Sequence, residues 1–582
     1  MHKRQFLMTV AASGASRAAL PVSALLGACA TGAGNGTADA IYFGGPILTM
    51  NDAQPQVEAV AVAGGVIRAV GRREAVFGLR GPATRMVDLQ GRTLIPGFVD
   101  PHSHLGGVGL QAISANLLPP PDGDNSSIAG LQQTFRRYLR ESKEPAQLGM
   151  VFGFGYDDSQ LEERRHPTRE DLDQVSMQLP VVAIHQSGHF GALNSVALAR
   201  AGITAGTPDP EGGVIRRQAG SREPDGVLEE NAFFRTLGRL MPRLTTEQAV
   251  GWLEQAQQLY LQYGYTTVQD GRADPQAVAT AIAAAERGRL LVDVVSYPDI
   301  LQLGEGAFMT GAYYGRTYKN RLRIGGVKLT LDGSPQGKTA WLTQPYRVPP
   351  AGQPPGYKGY GVLSDAQAHA AVARAVEHGW QILVHANGDA AIDQFIGAVR
   401  AAGPQVRARD MRPVLIHGQT LRRDQVSMLK ELGIFPSLFP MHTFYWGDWH
   451  RDSVLGDPRA QNISPTGWVL EAGLRFTSHH DAPVALPSSI RVLDATVNRT
   501  TRSGRVLGPE HRVSPWTALQ AQTLWSAYQH FEEDRKGSIE PGKLADLVVL
   551  SDNPMTVERH KLASIQVLET IKQGRSVYRA NA

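Results

Sequence analysis

The 582-residue sequence predicts an α/β protein: a (β/α)8 TIM-like barrel over 98–534, joined to a small composite β-sandwich domain made from 38–97 and 535–582. Three observations lead there. Strand-like and helical segments alternate through the middle of the chain. Short strands without intervening helices stand at both ends. The residues able to bind metal sit at the ends of the middle strands, which in a barrel converge on one mouth.

Residues 1–28 read as an export signal. His2, Lys3 and Arg4 give a basic start, and a small-residued apolar stretch runs from Phe6 to Ala28, too short and interrupted by Arg17 to be a lasting transmembrane helix. The single cysteine, Cys29, follows Leu26-Gly27-Ala28 and resembles the acylated cysteine of a lipoprotein leader. Lys3-Arg4-Gln5-Phe6-Leu7 resembles a weakened twin-arginine signal. Both imply an exported protein, periplasmic or lipid-anchored on the outer side of a membrane through Cys29, with 29–37 as a tether. One cysteine leaves no internal disulfide and no cysteine nucleophile.

From Ala40 the chain reads as strands: Ile41–Phe43, Pro46–Thr49, then Val57–Val62 and Val66–Val70 flanking a Gly64-Gly65 turn. Ala545–Leu550, Val567–Ile571 and Ser576–Tyr578 form a matching set at the other end. Neither set has enough strands for its own core, so the two complete one domain. A buried strand is expected over Thr93–Val99. In the middle, helices over Thr245–Tyr263, Pro275–Glu286 and Ala366–Glu377 alternate with strands at Thr266–Gln269, Leu291–Val295, Ile324–Thr330, Gln381–His385, Val414–His417, Ile434–Leu438 and Leu474–Ser478. The stretch 106–245 is long for one connection. Its strand-like pieces at Leu148–Phe152 and Val181–Ile184 suggest an inserted subdomain over the barrel mouth.

The charge balance, 58 Lys plus Arg against 54 Asp plus Glu, is too even for a nucleic-acid binder. Gly212-Gly213 lacks a phosphate-loop pattern, and no Gly-x-Ser-x-Gly elbow is present. His102 and His104 follow the apolar Thr93–Val99 run and, two apart on an extended chain, share a face. Alone they are as well explained as surface histidines. Lys328, His385, His417 and Asp481 each sit in or just beyond a later strand-like run. Four imidazoles, a carboxylate and one bridging anion would hold two divalent ions, zinc by default. A buried lysine loses charge and can take up carbon dioxide as a bridging carbamate; the alternative for Lys328 is a salt bridge to Asp332 or Asp270.

The series Leu94-Ile-Pro-Gly-Phe-Val-Asp-Pro-His-Ser-His104, Pro167-Thr-Arg169, Ser187-Gly-His189, Gly226-Val-Leu-Glu229, Lys328 with Leu331-Asp-Gly333, His385-Ala-Asn-Gly-Asp-Ala390, His417-Gly-Gln419, Asp481-Ala-Pro483 and Gly537–Asp546 resembles the amidohydrolase superfamily. Within it, the likeness is to the amidohydrolase-3, YtcJ-like branch that includes N-substituted formamide deformylase. It runs from about residue 38 to 578. The resemblance implies His102 and His104 as first-strand ligands, His385 and His417 as fifth- and sixth-strand ligands, Asp481 as the eighth-strand aspartate and Lys328 as the carboxylated bridge. His479-His480, where many relatives have Gly-Ser, and Ala-Asn-Gly after His385 depart from the pattern at the mouth.

The activity implied is hydrolysis of a C–N amide-type bond, in an N-acyl or N-formyl amine, by a metal-activated hydroxide. Asp481 would accept and return the proton, with His479, His189 or His442 facing the developing oxyanion. His479 is preferred to His480 because, on an extended chain, it shares a face with Asp481. His189 and His442 are equally well read as packed histidines, and the aromatics of Phe439–Trp446 as core. Other readings are a mononuclear deaminase or cyclic amidase of the same superfamily, or a non-catalytic exported binding protein. The partner is a small-molecule amide; a homodimer is the default assembly.

Overall fold

The computed structural model describes residues 36–580 except 305 and 351, so the leader, Cys29 and the export and anchoring expectations lie outside the described residues. In chain order its strands are β1 (Ala40–Leu48), β2 (Gln56–Ala63), β3 (Val66–Gly71), β4 (Arg85–Asp88), β5 (Thr93–Pro96), β6 (Phe98–Val99), β7 (Ala115–Asn116) and β8 (Val151–Tyr156). Then come β9 (Val181–His185), β10 (Phe190–Leu193), β11 (Gly213–Arg217), β12 (Pro224–Glu230), β13 (Tyr265–Ala273), β14 (Asp293–Pro298), β15 (Leu322–Ile324) and β16 (Gly326–Thr330). The last are β17 (Gln381–Ala386), β18 (Val414–His417), β19 (Phe435–Leu438), β20 (Thr477–Ser478), β21 (Leu547–Leu550), β22 (Val567–Lys572) and β23 (Arg575–Arg579).

Both chain ends share one sheet, ordered β23-β22-β21-β5-β1-β2-β3 with β4 also on β1. Its eight strands are joined in one hydrogen-bonded network. Gly64 and Gly65, at φ 60° and 77°, make the turn between β2 and β3, as their freedom at positive φ allows. The expected strand Thr93–Val99 is in fact two. β5 pairs antiparallel with β21, whereas β6 pairs in parallel with β13. The chain changes sheets at Gly97, where a Cβ would meet Thr266 at 2.5 Å.

The middle of the chain supplies parallel ladders β6-β13-β14-β15 and β16-β17-β18-β19-β20. Only Gly325 separates β15 from β16, and an Asp299–Lys328 bridge carries the pairing onward. The first and last strands meet where the His104 N–H donates to the Ala482 carbonyl, 2.8 Å away. Helices Thr246–Gln262, Pro275–Glu286, Asp365–His378 and Arg423–Leu432 precede β13, β14, β17 and β19. The first three start at side-chain caps: Thr245 with Gln248, Asp274 ahead of Pro275, Ser364 with Gln367. The strand expected over Leu474–Ser478 shrinks to two residues, because the Leu474 N–H is spent on the Val469 carbonyl at the exit of helix Thr466–Glu471.

Between β6 and β13 the chain builds its own sheet, β11-β12-β10-β9-β8-β7. One face packs Phe152, Ile184 and Leu228; the other packs Leu131, Phe135 and Tyr156. At the amino ends of the parallel strands, Lys572 lies 2.7 Å from both Asp293 and Asp546, and Lys536 bridges Asp293 and Glu532 at 2.7 and 2.6 Å. This buried network ties the two-ended sheet to the parallel strands.

Candidate metal centre

At the carboxyl ends of the parallel strands five chain segments converge. His102 Nε2 and His104 Nε2 lie 3.3 and 3.2 Å from Asp481 Oδ1, and His417 Nε2 lies 3.9 Å from Asp481 Oδ2. Lys328 Nζ is 3.1 Å from His102 Nε2. His385 Nδ1 is 3.1 Å from His417 Nε2. Asp332 and Asp270 do not pair with Lys328: Asp332 accepts from the backbone N–H groups of Trp341, Asn387 and Gly388, and Asp270 from that of Gly106.

For His102 and His104 the hydrogen-bond partners place the ring proton. His102 Nδ1 faces Gln269 Oε1 at 2.6 Å and His104 Nδ1 faces the Gly271 carbonyl at 2.6 Å. Both acceptors require N–H at Nδ1 and leave a lone pair at Nε2. Two lone pairs therefore converge on Asp481 Oδ1, which is buried with no hydrogen-bond donor among the described residues. On the other side, His385 Nε2 lies 3.2 Å from both the Gly333 carbonyl and the Asn387 amide nitrogen. His417 Nδ1 meets His479 Nε2 at 3.0 Å, and His479 Nδ1 meets Ser437 Oγ at 3.0 Å. His385, His417, His479 and Ser437 thus form one hydrogen-bonded chain, which can carry its protons in either direction. Imidazole nitrogens and a carboxylate gathered this closely are a donor set that fits a metal ion, and His102, His417 and Asp481 offer ligand atoms within 4.8 Å of one another.

Electrostatics agree. Burial, with Lys328 next in effect, holds His102 well below the ordinary imidazole range, and burial does the same to His385 and His417. Burial pushes Lys328 down to about 7. Behind the first histidine, Asp100 accepts from the His102 and Gln269 N–H groups, each at 3.1 Å, and from Ser103, which also touches Tyr260. Ser103 thus points away from the histidine face.

A cavity of about 210 Å³ opens on this cluster. Lys328, His385, His104 and Asp481 line one side; Ser187, Gly188 and His189 line the other with Phe154, Phe233 and Phe234. A cleft of about 390 Å³ at the strands' amino ends, around Arg412 and Tyr528, contains no ligand candidate. His189 Nδ1 is held at 2.6 Å by Glu230 Oε2, and Glu230 Oε1 accepts from Thr339 at 2.7 Å. Against the upward push of burial, His189 and these bonds keep the Glu230 carboxyl below its usual range.

Two expected residues sit elsewhere. The extended backbone assumed for 479–481 breaks at Asp481, whose φ is 56°. His479 therefore lies beneath the cluster against His417 and Ser437, outside the cavity lining, while His480 turns toward Asp100 at 3.4 Å. His442 packs between Phe439 and Trp446 with its Nδ1 3.0 Å from His450 Nε2, also outside that lining.

Glu230, Arg272 and the orienting Gln269 were not singled out from the sequence. Gln269 carries a signal, a polar residue ending the apolar Thr266-Thr-Val run. Arg272 carries one too, a cation beside the Asp270-Gly271 strand end. A second acid–histidine group, Asp157, Asp158 and His185, lies in the insert. There the Ser187 N–H donates to His185 Nδ1 at 3.0 Å, placing the proton on Nε2, which donates to Asp158 at 3.1 Å. That is a satisfied hydrogen-bonded pair that braces the Ser187–His189 turn.

The pattern of the amidohydrolase family matches residues 85–578. The chain is 28% identical over 551 residues to N-substituted formamide deformylase of Arthrobacter pascens, covering 92% of this chain and 97% of that one. It is 27% identical to the protein YtcJ of Bacillus subtilis, covering 93% and 99%. A structure of an uncharacterized metal-dependent hydrolase from Pyrococcus horikoshii shares the fold with a TM-score of 0.70 at 24% identity, covering 90% and 99%.

Proposed function

From the premise that the chain belongs to the amidohydrolase family and is a metal-dependent hydrolase acting on C–N bonds, we propose that it cleaves the amide bond of an N-acyl or N-formyl amine at a two-metal site. The site crowns a (β/α)8 barrel that carries the composite β domain, with residues 106–245 as the inserted lid. The observation that carries this reading is the convergence of His102, His104 and His417 on the Asp481 carboxylate, with Lys328 beside His102 and His385 beside His417. His102, His104 and Asp481 would hold one ion, His385 and His417 the other. Lys328, between them, fits the bridge: its neutral amine and carbon dioxide give a carbamate and release one proton. Divalent ions bound there supply Lewis acidity that acidifies water and polarises the amide carbonyl.

The chain's own groups then manage the protons. Asp481 accepts a proton from the attacking water and returns it to the leaving nitrogen. With Nδ1–H bonded to the Glu230 carboxylate and Nε2 also protonated, His189 would donate from Nε2 to the carbonyl oxygen as charge grows on it. Water's oxygen ends on the acyl carbon and a water proton on the amine.

Metal content per chain, with Lys328→Ala alongside, tests the proposal. Two ions in the wild type, falling to one or none in the variant, are expected, together with turnover of N-formyl or N-acyl amines. One ion retained unchanged in both proteins overturns the two-metal reading.

A further inference from the structure

We propose that Arg272 forms a carboxylate subsite, so that the amide cleaved here carries an acidic group beside an apolar one, as in an N-acyl derivative of an apolar amino acid.

The backbone aims this side chain at the cavity. In the β13–β14 pairing Gly271 faces Tyr297 and Ala273 faces Pro298, leaving Arg272 as the extra residue of a bulge. Its φ is 58°, in the left-handed region that a long side chain rarely adopts. Bulges beside sites redirect a side chain, and local strain of this kind persists where the surroundings enforce it. The same bulge offers the Gly271 carbonyl to His104. One irregularity thus serves a proposed ligand and the arginine together.

The guanidinium is held at one edge and free at the other. Its carbon stands 4.5 Å above the Phe234 ring and Nε is 3.4 Å from Asp299 Oδ2. Asp299 is fully engaged, accepting also from the Leu301 N–H and from Gln302. Among the described residues neither Nη nitrogen of Arg272 has an acceptor, and Arg272 lines the cavity with Lys328 and Asp481. A stacked guanidinium with its paired N–H groups open matches a carboxylate bidentately.

Beside it stand Phe154, Ile184, Phe233 and Phe234, contributed by the insert. These take an apolar group but offer no anion partner. The cavity, about 210 Å³, is below the range of roughly 300–1,000 Å³ for drug-sized ligands. One ring-sized apolar group and one carboxylate are therefore its natural load.

This inference rests on the amide-hydrolase reading, and matched ligands separate the two. N-formyl- and N-acetylphenylalanine, as both enantiomers, are compared with N-formyl- and N-acetylphenethylamine, which differ only in lacking the carboxylate. Expected are a kcat/KM about 50-fold or more higher for one enantiomer of the acid, and an Arg272→Met variant that loses this preference. Arg272→Lys recovers only part of it, since an ammonium lacks the fork. Calorimetric binding of phenylalanine to the metal-loaded enzyme is expected to weaken in parallel. Equal turnover of acid and neutral amides, or equal losses on both in Arg272→Met, overturns the subsite. No turnover of any amide, with phenylalanine binding still dependent on Arg272, overturns the amide reading and upholds the subsite.

Discussion

Asp481, His417 and Arg272 all have left-handed backbones, at φ 56°, 76° and 58°, where β strands end at the cavity. Each turns its side chain out of the alternation of its strand, which is why period-two reasoning misplaced His479 relative to Asp481. Glu230 is more extreme, with φ 46° and ψ −122° at the junction of β12 and the following helix. Non-glycine residues reach such values only where the surroundings compel them, and here the gain is a carboxylate 2.6 Å from His189. Glu230→Gln keeps the shape and removes the charge. We expect kcat to fall about 10- to 100-fold with little change in KM and with metal content retained, as measured by steady-state kinetics and metal analysis. A loss of thermal stability with unchanged kcat would assign Glu230 to scaffolding instead.

At the scale of elements, the end of β13 organises the first-strand histidines. Gln269 and the Gly271 carbonyl set the ring orientations of His102 and His104, and partners of this kind tune metal affinity by roughly 10- to 100-fold. Gly271 has no spare room: a Cβ there would stand 2.7 Å from His102 Cε1. Gly271→Ala should therefore displace His102 and weaken metal binding by one to two orders of magnitude (about 10- to 100-fold), read by chelator competition, while circular dichroism stays native. Unchanged metal affinity would mean that the ring has another place to go. Many elements were legible beforehand. The helix Pro275–Glu286 and the strand Val414–His417 form with the expected bounds, because a cap and an apolar run are local signals. The division of Thr93–Val99 at Gly97 was not legible, since it depends on the approach of Thr266 from a distant strand.

For the whole molecule, buried neutral histidines make stability depend on acid. His530, wedged between Tyr297 and the Asp100 carbonyl at 3.0 Å each, is pushed down to about 4 by burial, with Arg323 next in effect. Its folded pKa is below the unfolded 6.5, so the unfolded chain binds the extra proton between those values. The associated stability, about 3 kcal/mol, is fully present above pH 6.5 and is lost as the pH falls toward 4. His530→Gln should flatten the unfolding free energy between pH 6.5 and 4.5 by up to about 1.4 kcal/mol per pH unit, measured by urea titration. Parallel pH profiles for the two proteins would show that His530 takes up its proton without unfolding. The histidines and acids in the proposed site were legible as a set, since their order along the chain follows strand ends. His442 was not: whether a histidine on the helix Met441–Trp449 meets the cavity or His450 depends on that helix's rotation.

The sequence by itself determined the candidate set of metal ligands, the family and the alternation of strand and helix, because these depend on residue type, order and local periodicity. Only the tertiary structure decided how the imidazole rings are oriented, that Glu230 stands behind His189, and that Arg272 faces the cavity. Those depend on left-handed strand ends and on partners such as Gln269, 167 residues from His102, and distance along the chain carries no record of contact in space.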